Sequence, residues 1–382
     1  MSWPLVKISD FCQTGSGGTP SRDIPEYYEG DIPWIKSGDL RENIVTSATE
    51  FISQEAINKS SAKIVSQGAI LVAMYGATVG RMALLGIDAA TNQAVCNVVP
   101  DASKADTKYV YYALLSKVPD FLRSAIGGAQ PNISQGLIRS TEIPLPPLPE
   151  QKRIAAILDK ADAIRRKRQQ AIQLADDFLR AVFLDMFGDP VTNPKGWPLK
   201  RFGEVGTWSS GGTPSRTVSD FFEGEINWYS AGELNSRYLD GSVEKISESA
   251  IKNSAAKIFK KDSLLVGMYD TAAMKISILK EDSSCNQACA NVECNELASV
   301  EWLYSYIAYA KDSYLSRRRG VRQKNLNLGM IRDFLLPLPP RDLQDEFVRF
   351  VSAVFGIKKK QEEGKDFPVF ESLSLKAFSG QL

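Results

Sequence analysis

Residues 17–40 read GGTPSRDIPEYYEGDIPWIKSGDL, and residues 211–234 read GGTPSRTVSDFFEGEINWYSAGEL. The two stretches lie 194 positions apart, and 12 of their 24 residues are identical. The same offset aligns Ala62-Lys63-Ile64 with Ala256-Lys257-Ile258, Met74-Tyr75 with Met268-Tyr269, and Asn92-Gln93-Ala94 with Asn286-Gln287-Ala288. Further on the offset becomes 193, where Gln130, Asn132 and Ile138 meet Gln323, Asn325 and Ile331, and Pro-Leu-Pro-Pro at 144–147 meets 337–340. A repeat this long is no solenoid period; it marks two copies of a domain-sized unit of about 190 residues.

Each copy divides in two. The first part, 1–148 and 191–341, mixes short strands and helices. Ala69–Met74 reads as a strand, Tyr75–Thr78 as a turn and Val79–Leu85 as a returning strand. Tyr109–Val118 and Trp302–Tyr309 have helical apolar spacing. A proline-stiffened segment closes each first part. The second part, 149–190 and 342–382, is helical. After Pro149 no Gly or Pro occurs up to Phe187, and some 38 residues would span about 57 Å. Ile154, Ala161, Ala175 and Val182 share one heptad position, and Ile157, Ile164, Ala171 and Phe178 the other, which predicts a coiled-coil seam. The second copy offers Phe347, Phe350, Val354 and Ile357, then Gly364 and Pro368, so its helix is expected to be shorter or kinked. The expected class is α+β: two similar mixed α/β domains joined by two long antiparallel coiled-coil helices, with a pseudo-two-fold axis across the helix pair.

Composition removes several functions. Of 382 residues, 46 are Lys or Arg and 45 Asp or Glu, so nucleic acid would have to meet a local basic face. Histidine is absent, which excludes imidazole bases, Ser-His-Asp and Cys-His nucleophiles and His-ligated metals. Five cysteines do not read as a disulfide framework. Cys285, Cys289 and Cys294 lack a fourth thiolate, so no metal is assigned. The first residues lack an apolar signal region, and no apolar run approaches a membrane span, so a cytoplasmic protein is expected. No P-loop and no Asn-Pro-Pro-aromatic methyltransferase segment occurs, and the chain reads as non-catalytic.

Two similar domains held apart suit a target with two similar, separated parts, and duplex DNA repeats its face about every 34–36 Å. The candidate contacts recur in both copies. They are Thr19, Ser21 and Arg22 with Thr213, Ser215 and Arg216; Lys36 and Tyr229, close behind Trp34 and Trp228, are added as single candidates. Tyr75, Thr78 and Arg81 answer Tyr269 and Lys275; Asn92-Gln93 answers Asn286-Gln287. Gln130 and Asn132 answer Gln323 and Asn325, beside the basic run containing Arg319, Arg322 and Lys324. Asn and Gln suit adenine edges, Arg and Lys suit guanine, and Ser or Thr suits phosphates. Structural readings compete: Thr19-Pro20-Ser21 as a simple turn, Asn92-Gln93 as a backbone cap, Trp34 and Trp228 as core, and Arg165-Arg166-Lys167-Arg168 as an exposed helix face. A coiled-coil scaffold and a stand-alone DNA-modifying enzyme are the alternative functions.

The order of these elements, twice over, resembles the specificity subunits of type I restriction-modification systems. The resemblance covers nearly the whole chain. It rests on Trp3-Pro4-Leu5-Val6-Lys7-Ile8 and Trp197-Pro198-Leu199-Lys200-Arg201-Phe202, GGTPSR, the Trp34 and Trp228 segments, MYGATVGR and TNQAV. The Pro-Leu-Pro-Pro-x-x-x-Gln junctions ending at Gln151 and Gln344, and the segment Phe370–Leu382, complete it. The resemblance implies that 1–148 and 191–341 are target recognition domains, each for half of a split DNA sequence. The helices would be spacers that set the gap and dock two methyltransferase subunits. S-adenosylmethionine, ATP and magnesium would belong to those and to motor-nuclease subunits, and none to this chain.

Overall fold

The computed structural model describes residues 3–41, 43–125, 132–316, 325–363 and 369–382. They form two compact units, Met1–Gln169 with Gly364–Leu382, and Gln170–Glu363.

In the first unit a five-stranded sheet runs in the order Cys12–Ser16, Val95–Pro100, Ile70–Ala73, Met82–Leu85, Ile44–Val45. Its pairings are antiparallel except the last, where Ile44 lies opposite Leu84 in parallel register. Every residue of Ile70–Ala73 is buried, and side chains alternate between faces at period two. Ile70 and Val72 pack with Val98, Tyr109 and Tyr112, the last two on the helix Thr107–Ser116. Leu71 and Ala73 face the other way, with Ile35, Val45 and Leu85. The latter layer adjoins a second sheet, ordered Glu50–Ile52, Ile32–Ile35, Ala89–Thr91, Ile64–Val65. Leu5–Lys7 and Glu142–Pro144 close the domain as an antiparallel pair.

The second unit repeats this plan. Its five-stranded sheet runs Gly206–Ser210, Cys289–Cys294, Leu264–Gly267, Ile276–Leu279, Tyr238–Leu239. Leu264 and Val266 pack on Trp302 and Tyr306 of the helix Val300–Leu315, while Leu265 packs with Tyr229 and Leu239. Glu244–Ile246, Ile226–Tyr229 and Ser284–Cys285 make the smaller sheet, and a Phe259–Ser283 bridge stands where the first unit has a fourth strand.

The long helix spans Leu148–Phe187, and Gly188, at φ 80°, ends it in a left-handed conformation suited to glycine. Its opening turn is fastened by a buried glutamine. Gln151 Oε1 accepts from Asp106 N at 2.8 Å, while Nε2 donates to Lys104 O at 3.0 Å and Pro146 O at 2.8 Å. Gln344 repeats the arrangement with Ser299 N at 2.9 Å, Leu297 O at 3.0 Å and Pro339 O at 2.9 Å.

The predicted second helix is two helices, Arg341–Glu363 and Val369–Phe378, with Gly364 and Pro368 outside the described residues. Within the first unit the long helix meets the second of these. Arg165 sits 5.4 Å over the Phe370 ring, and Arg153 Nη2 donates to Leu382 O at 2.8 Å, so the two segments run in opposite directions. Within the second unit, Phe178 meets Phe350 at 6.4 Å and Phe183 meets Phe347 at 5.5 Å, and Asp176 pairs with Lys358, again antiparallel.

The heptad seam is buried only in part. Ile154, Ala161, Phe347 and Val354 are buried, but Ile164, Ala171, Phe178, Phe350 and Ile357 are exposed, and Ile157, Ala175 and Val182 half-buried. The buried positions instead include Ala155 and Leu158 in one unit and Leu179, Phe183, Phe187 and Val351 in the other. The physical reason is the partner. Each stretch packs on a globular domain's own helix as well as on another helix. The apolar stripe therefore follows the 3.6-residue period of a surface helix rather than a narrow 3.5-residue seam.

Candidate nucleic-acid interface

The repeated motifs converge at one end of each five-stranded sheet. In the first unit, strand Cys12–Ser16 ends there, Val95–Pro100 begins, and Ile70–Ala73 turns through residues 74–81 into Met82–Leu85. Backbone hydrogen bonds lace the loops side by side. Gly18 N donates to Thr91 O (2.9 Å), Gly17 N to Val95 O (3.2 Å), Met74 N to Ala94 O (2.8 Å) and Ile133 N to Met74 O (2.9 Å). The second unit repeats them: Gly212 N to Cys285 O (3.0 Å), Gly211 N to Cys289 O (3.0 Å), Met268 N to Ala288 O (2.9 Å) and Leu326 N to Met268 O (2.8 Å). The paired glycines are required by close approach. A Cβ on Gly17 would stand 1.9 Å from Thr91 O, and one on Gly212 2.1 Å from Ala255 O.

On this lattice Thr19 donates its hydroxyl to Gln93 Oε1, and Thr213 does the same to Gln287 Oε1. All four residues are exposed. The two glutamine amide nitrogens take no partner among the described residues and are available to a ligand. Asn92 and Asn286 turn their carbonyls back to Ala94 N (3.2 Å) and Ala288 N (3.0 Å), closing their own turns. Tyr75 and Tyr269 are exposed, Tyr75 bridges Asn132, and Thr78 Oγ1 donates to Tyr75 O at 3.1 Å. Arg81 is exposed, and Lys275 Nζ donates to Asn235 Oδ1 at 2.7 Å.

The remaining candidates bond within their own domain, Tyr229 buried and Ser21, Arg22, Ser215 and Arg216 still exposed. Trp34 Nε1 donates to Gly18 O at 3.1 Å and Trp228 Nε1 to Gly212 O at 3.0 Å; both indoles are core. Arg22 lies 4.1 Å over the Tyr28 ring and bonds Glu50 at 2.6 Å, and Lys36 bonds the same carboxylate. Arg216 lies 4.3 Å over Phe222 and holds both Glu244 oxygens. The Lys36 bond and the Arg22 guanidinium hold the Glu50 carboxyl below the usual carboxylate range; Arg216 does so for Glu244. The two glutamates were not among the predicted site residues, although Glu50-x-Ile52-Ser53 and Glu244-x-Ile246-Ser247 recur at the 194 offset. Ser21 and Ser215 bond locally, within 3.4 Å of Asp23 Oδ2 and 2.8 Å of Thr217 Oγ1. Tyr229 requires correction: it is 1 % exposed, on a strand position answering Ile35, and is a core residue rather than a DNA contact. Gln130, Arg319, Arg322, Gln323 and Lys324 lie outside the described residues. Asn132 is exposed and Asn325 half-buried beside the same loops.

Chemically, this end offers amides, hydroxyls, rings and cations. Among the described residues no three His, Cys, Asp or Glu side chains converge on a metal position, and no helix is long and apolar enough to cross a membrane. The cysteines are thiols. Burial pushes Cys96 up to about 12, and the neighbouring Cys289, with burial, raises Cys285. Thiol reagents are therefore expected to label these two only on unfolding; rapid native labelling, read by mass spectrometry, would contradict their packing.

A twice-repeated sheet end of this kind defines a protein of two duplicated α/β domains that present matching polar surfaces. Residues 2–174 and 194–365 match the type I restriction modification DNA specificity domain, and the chain belongs to that family. The MjaIX type I restriction enzyme specificity subunit of Methanocaldococcus jannaschii is 25% identical over 388 aligned residues, covering 92% of this chain and 87% of the relative. The EcoR124I/EcoR124II specificity subunit of Escherichia coli is 34% identical over 154 residues, 39% of this chain and 38% of that one. The crystal structure of a type I restriction-modification system S subunit from M. genitalium superposes with a TM-score of 0.61, covering 99% and 96% of the two chains. Identity is 16%, so this likeness speaks for the fold. The chain is a DNA sequence-specificity subunit with two recognition domains.

Proposed function

We propose that each recognition domain binds one half of a bipartite DNA target through the sheet end that carries its Thr–Gln pair. The observation that carries this reading is the recurrence of Thr19–Gln93 as Thr213–Gln287, on matching backbone lattices. A glutamine amide steadied by a threonine hydroxyl is suited to an adenine edge. The chain performs no chemistry. Two methyltransferase subunits dock on it and bring S-adenosylmethionine, and motor-nuclease subunits bring ATP and magnesium. The assembly works in the cytoplasm. The Leu148–Phe187 helix, unbroken over 40 residues, supports a role for the helices in setting the unread gap.

Mapping methylated adenines in a genome that carries this gene tests the reading. A split motif is expected, and replacing residues 1–148 by another such domain should change one half and leave the other. Inserting four residues between Ala163 and Ala171 should alter the gap and neither half. A continuous motif, or a swap that changes both halves, would refute the proposal.

A further inference from the structure

The two recognition domains differ at one cationic corner of the sheet end. In the second domain Lys275 Nζ bonds Asn235 Oδ1 at 2.7 Å and Gly232 O at 3.4 Å. Asn235 Nδ2 also donates to Gly232 O, at 2.7 Å. The ammonium is thus tied into the neighbouring loop. At the 194 offset the first domain carries Arg41, Arg81 and Gly38 in place of Asn235, Lys275 and Gly232.

The backbone correspondence holds through this region. Leu84 N donates to Asn43 O at 2.7 Å, as Ile278 N does to Arg237 O at 2.7 Å. Ile44 pairs with Leu84 in parallel, as Tyr238 does with Ile278. Arg41 Nε donates to Gly38 O at 3.1 Å and so takes the carbonyl that the second domain's tether uses. No side-chain acceptor replaces Asn235, and a cation at 41 repels one at 81. Both arginines are exposed, and no carboxylate among the described residues pairs with either. Asp39, close by in sequence, accepts from Lys36 N at 2.9 Å and Thr49 Oγ1 at 3.0 Å, and Glu42 lies outside the described residues.

The backbone register assigns Arg41 and Arg81 to the corner that Asn235 and Lys275 share in the second domain, and two guanidiniums there, with no carboxylate partner among the described residues, complement an anion with several oxygens; a guanine edge would occupy only one fork. We propose that Arg41 and Arg81 together clamp one DNA phosphate in the first recognition domain, and that Lys275 in the second is a structural tether. The proposal rests on the DNA-reading function argued above. The second domain carries its extra charge elsewhere in sequence, since Arg317–Lys324 answers an uncharged Ser124–Pro131 at the 193 offset.

The test uses the full chain in its modification complex, with a labelled duplex containing the mapped target, titrated at several salt concentrations. R41A/R81A is expected to reduce the slope of log affinity against log salt by about 1 while leaving the methylated motif unchanged. R41K/R81K should keep the slope, because lysine still neutralises a phosphate. K275A should leave the slope unchanged, though it loosens the loop at 231–236. An unchanged slope in R41A/R81A would overturn the clamp, and an altered motif would replace it with base reading. A lowered slope in K275A would overturn the tether. Failure of the wild-type complex to bind the duplex would instead bring down the functional reading itself.

Discussion

Replacing Gln151 by leucine is expected to destabilise the protein by roughly 3–5 kcal/mol, since three backbone groups lose the side-chain partner they share at a buried position. Asp106 N, Lys104 O and Pro146 O all bond this one amide, whose residue is fully buried. Leucine fills similar volume but offers no donor or acceptor, so the transfer gain is small beside the polar loss. At about 2–4 °C per kcal/mol, the thermal midpoint of the affected unit should fall by on the order of 10 °C. Glutamate is no remedy, because a carboxylate cannot donate to two carbonyls. Gln344→Leu should act equally in the other unit, through Ser299, Leu297 and Pro339. Circular dichroism melting of both variants is the check; a loss under 1 kcal/mol would mean water or side chains replace the amide readily.

Phe347→Ala is expected to cost about 3–5 kcal/mol, the range for removing a fully buried ring. Phe347 is 0 % exposed and stands edge-on to Phe183 at 5.5 Å and Phe187 at 5.6 Å, with Trp302 6.1 Å beyond Phe187. This cluster joins three helices, Leu148–Phe187, Val300–Leu315 and Arg341–Glu363. The cavity would open where all three meet, so collapse is limited. Phe350→Ala, one turn along and 37 % exposed, should cost under half as much. Urea unfolding of the two variants compares them. Equal losses would restore the heptad seam, in which both positions carry the same weight.

The duplication and the α+β division were legible because identity at offset 194 needs no structural insight, and tryptophans that recur inside apolar strands belong in cores. The helix seam is legible only in part, because periodicity shows that a face is apolar, not what covers it. A heptad and a 3.6-residue stripe share Ile154 and Ala161 and part company at Ile164. The candidate site was legible in its loops, since Thr19, Gln93, Tyr75 and Asn132 come together through backbone bonds between distant segments. Which residues face outward was not. Arg22 and Glu50 are 28 positions apart, and only the fold reveals that a cation suited to DNA is held against its own domain. Tyr229 carries a hydroxyl that suits a surface contact, but its counterpart at the 194 offset is the apolar Ile35, and both side chains are buried.

One further consequence concerns synthesis. The face of Tyr109 and Tyr112 in the first unit is completed by Phe378 at 5.6 Å and Phe370 at 5.8 Å. These rings leave the ribosome about 200 residues after Gln169. At some 5–20 residues per second that is a delay of roughly 10–40 s. Throughout it the nascent first unit has an uncovered aromatic strip, while the second unit gathers all its own parts in one continuous run from Gln170 to Glu363. The earlier-made half of this protein is therefore the later one to finish folding, and the one that needs sheltering while translation proceeds.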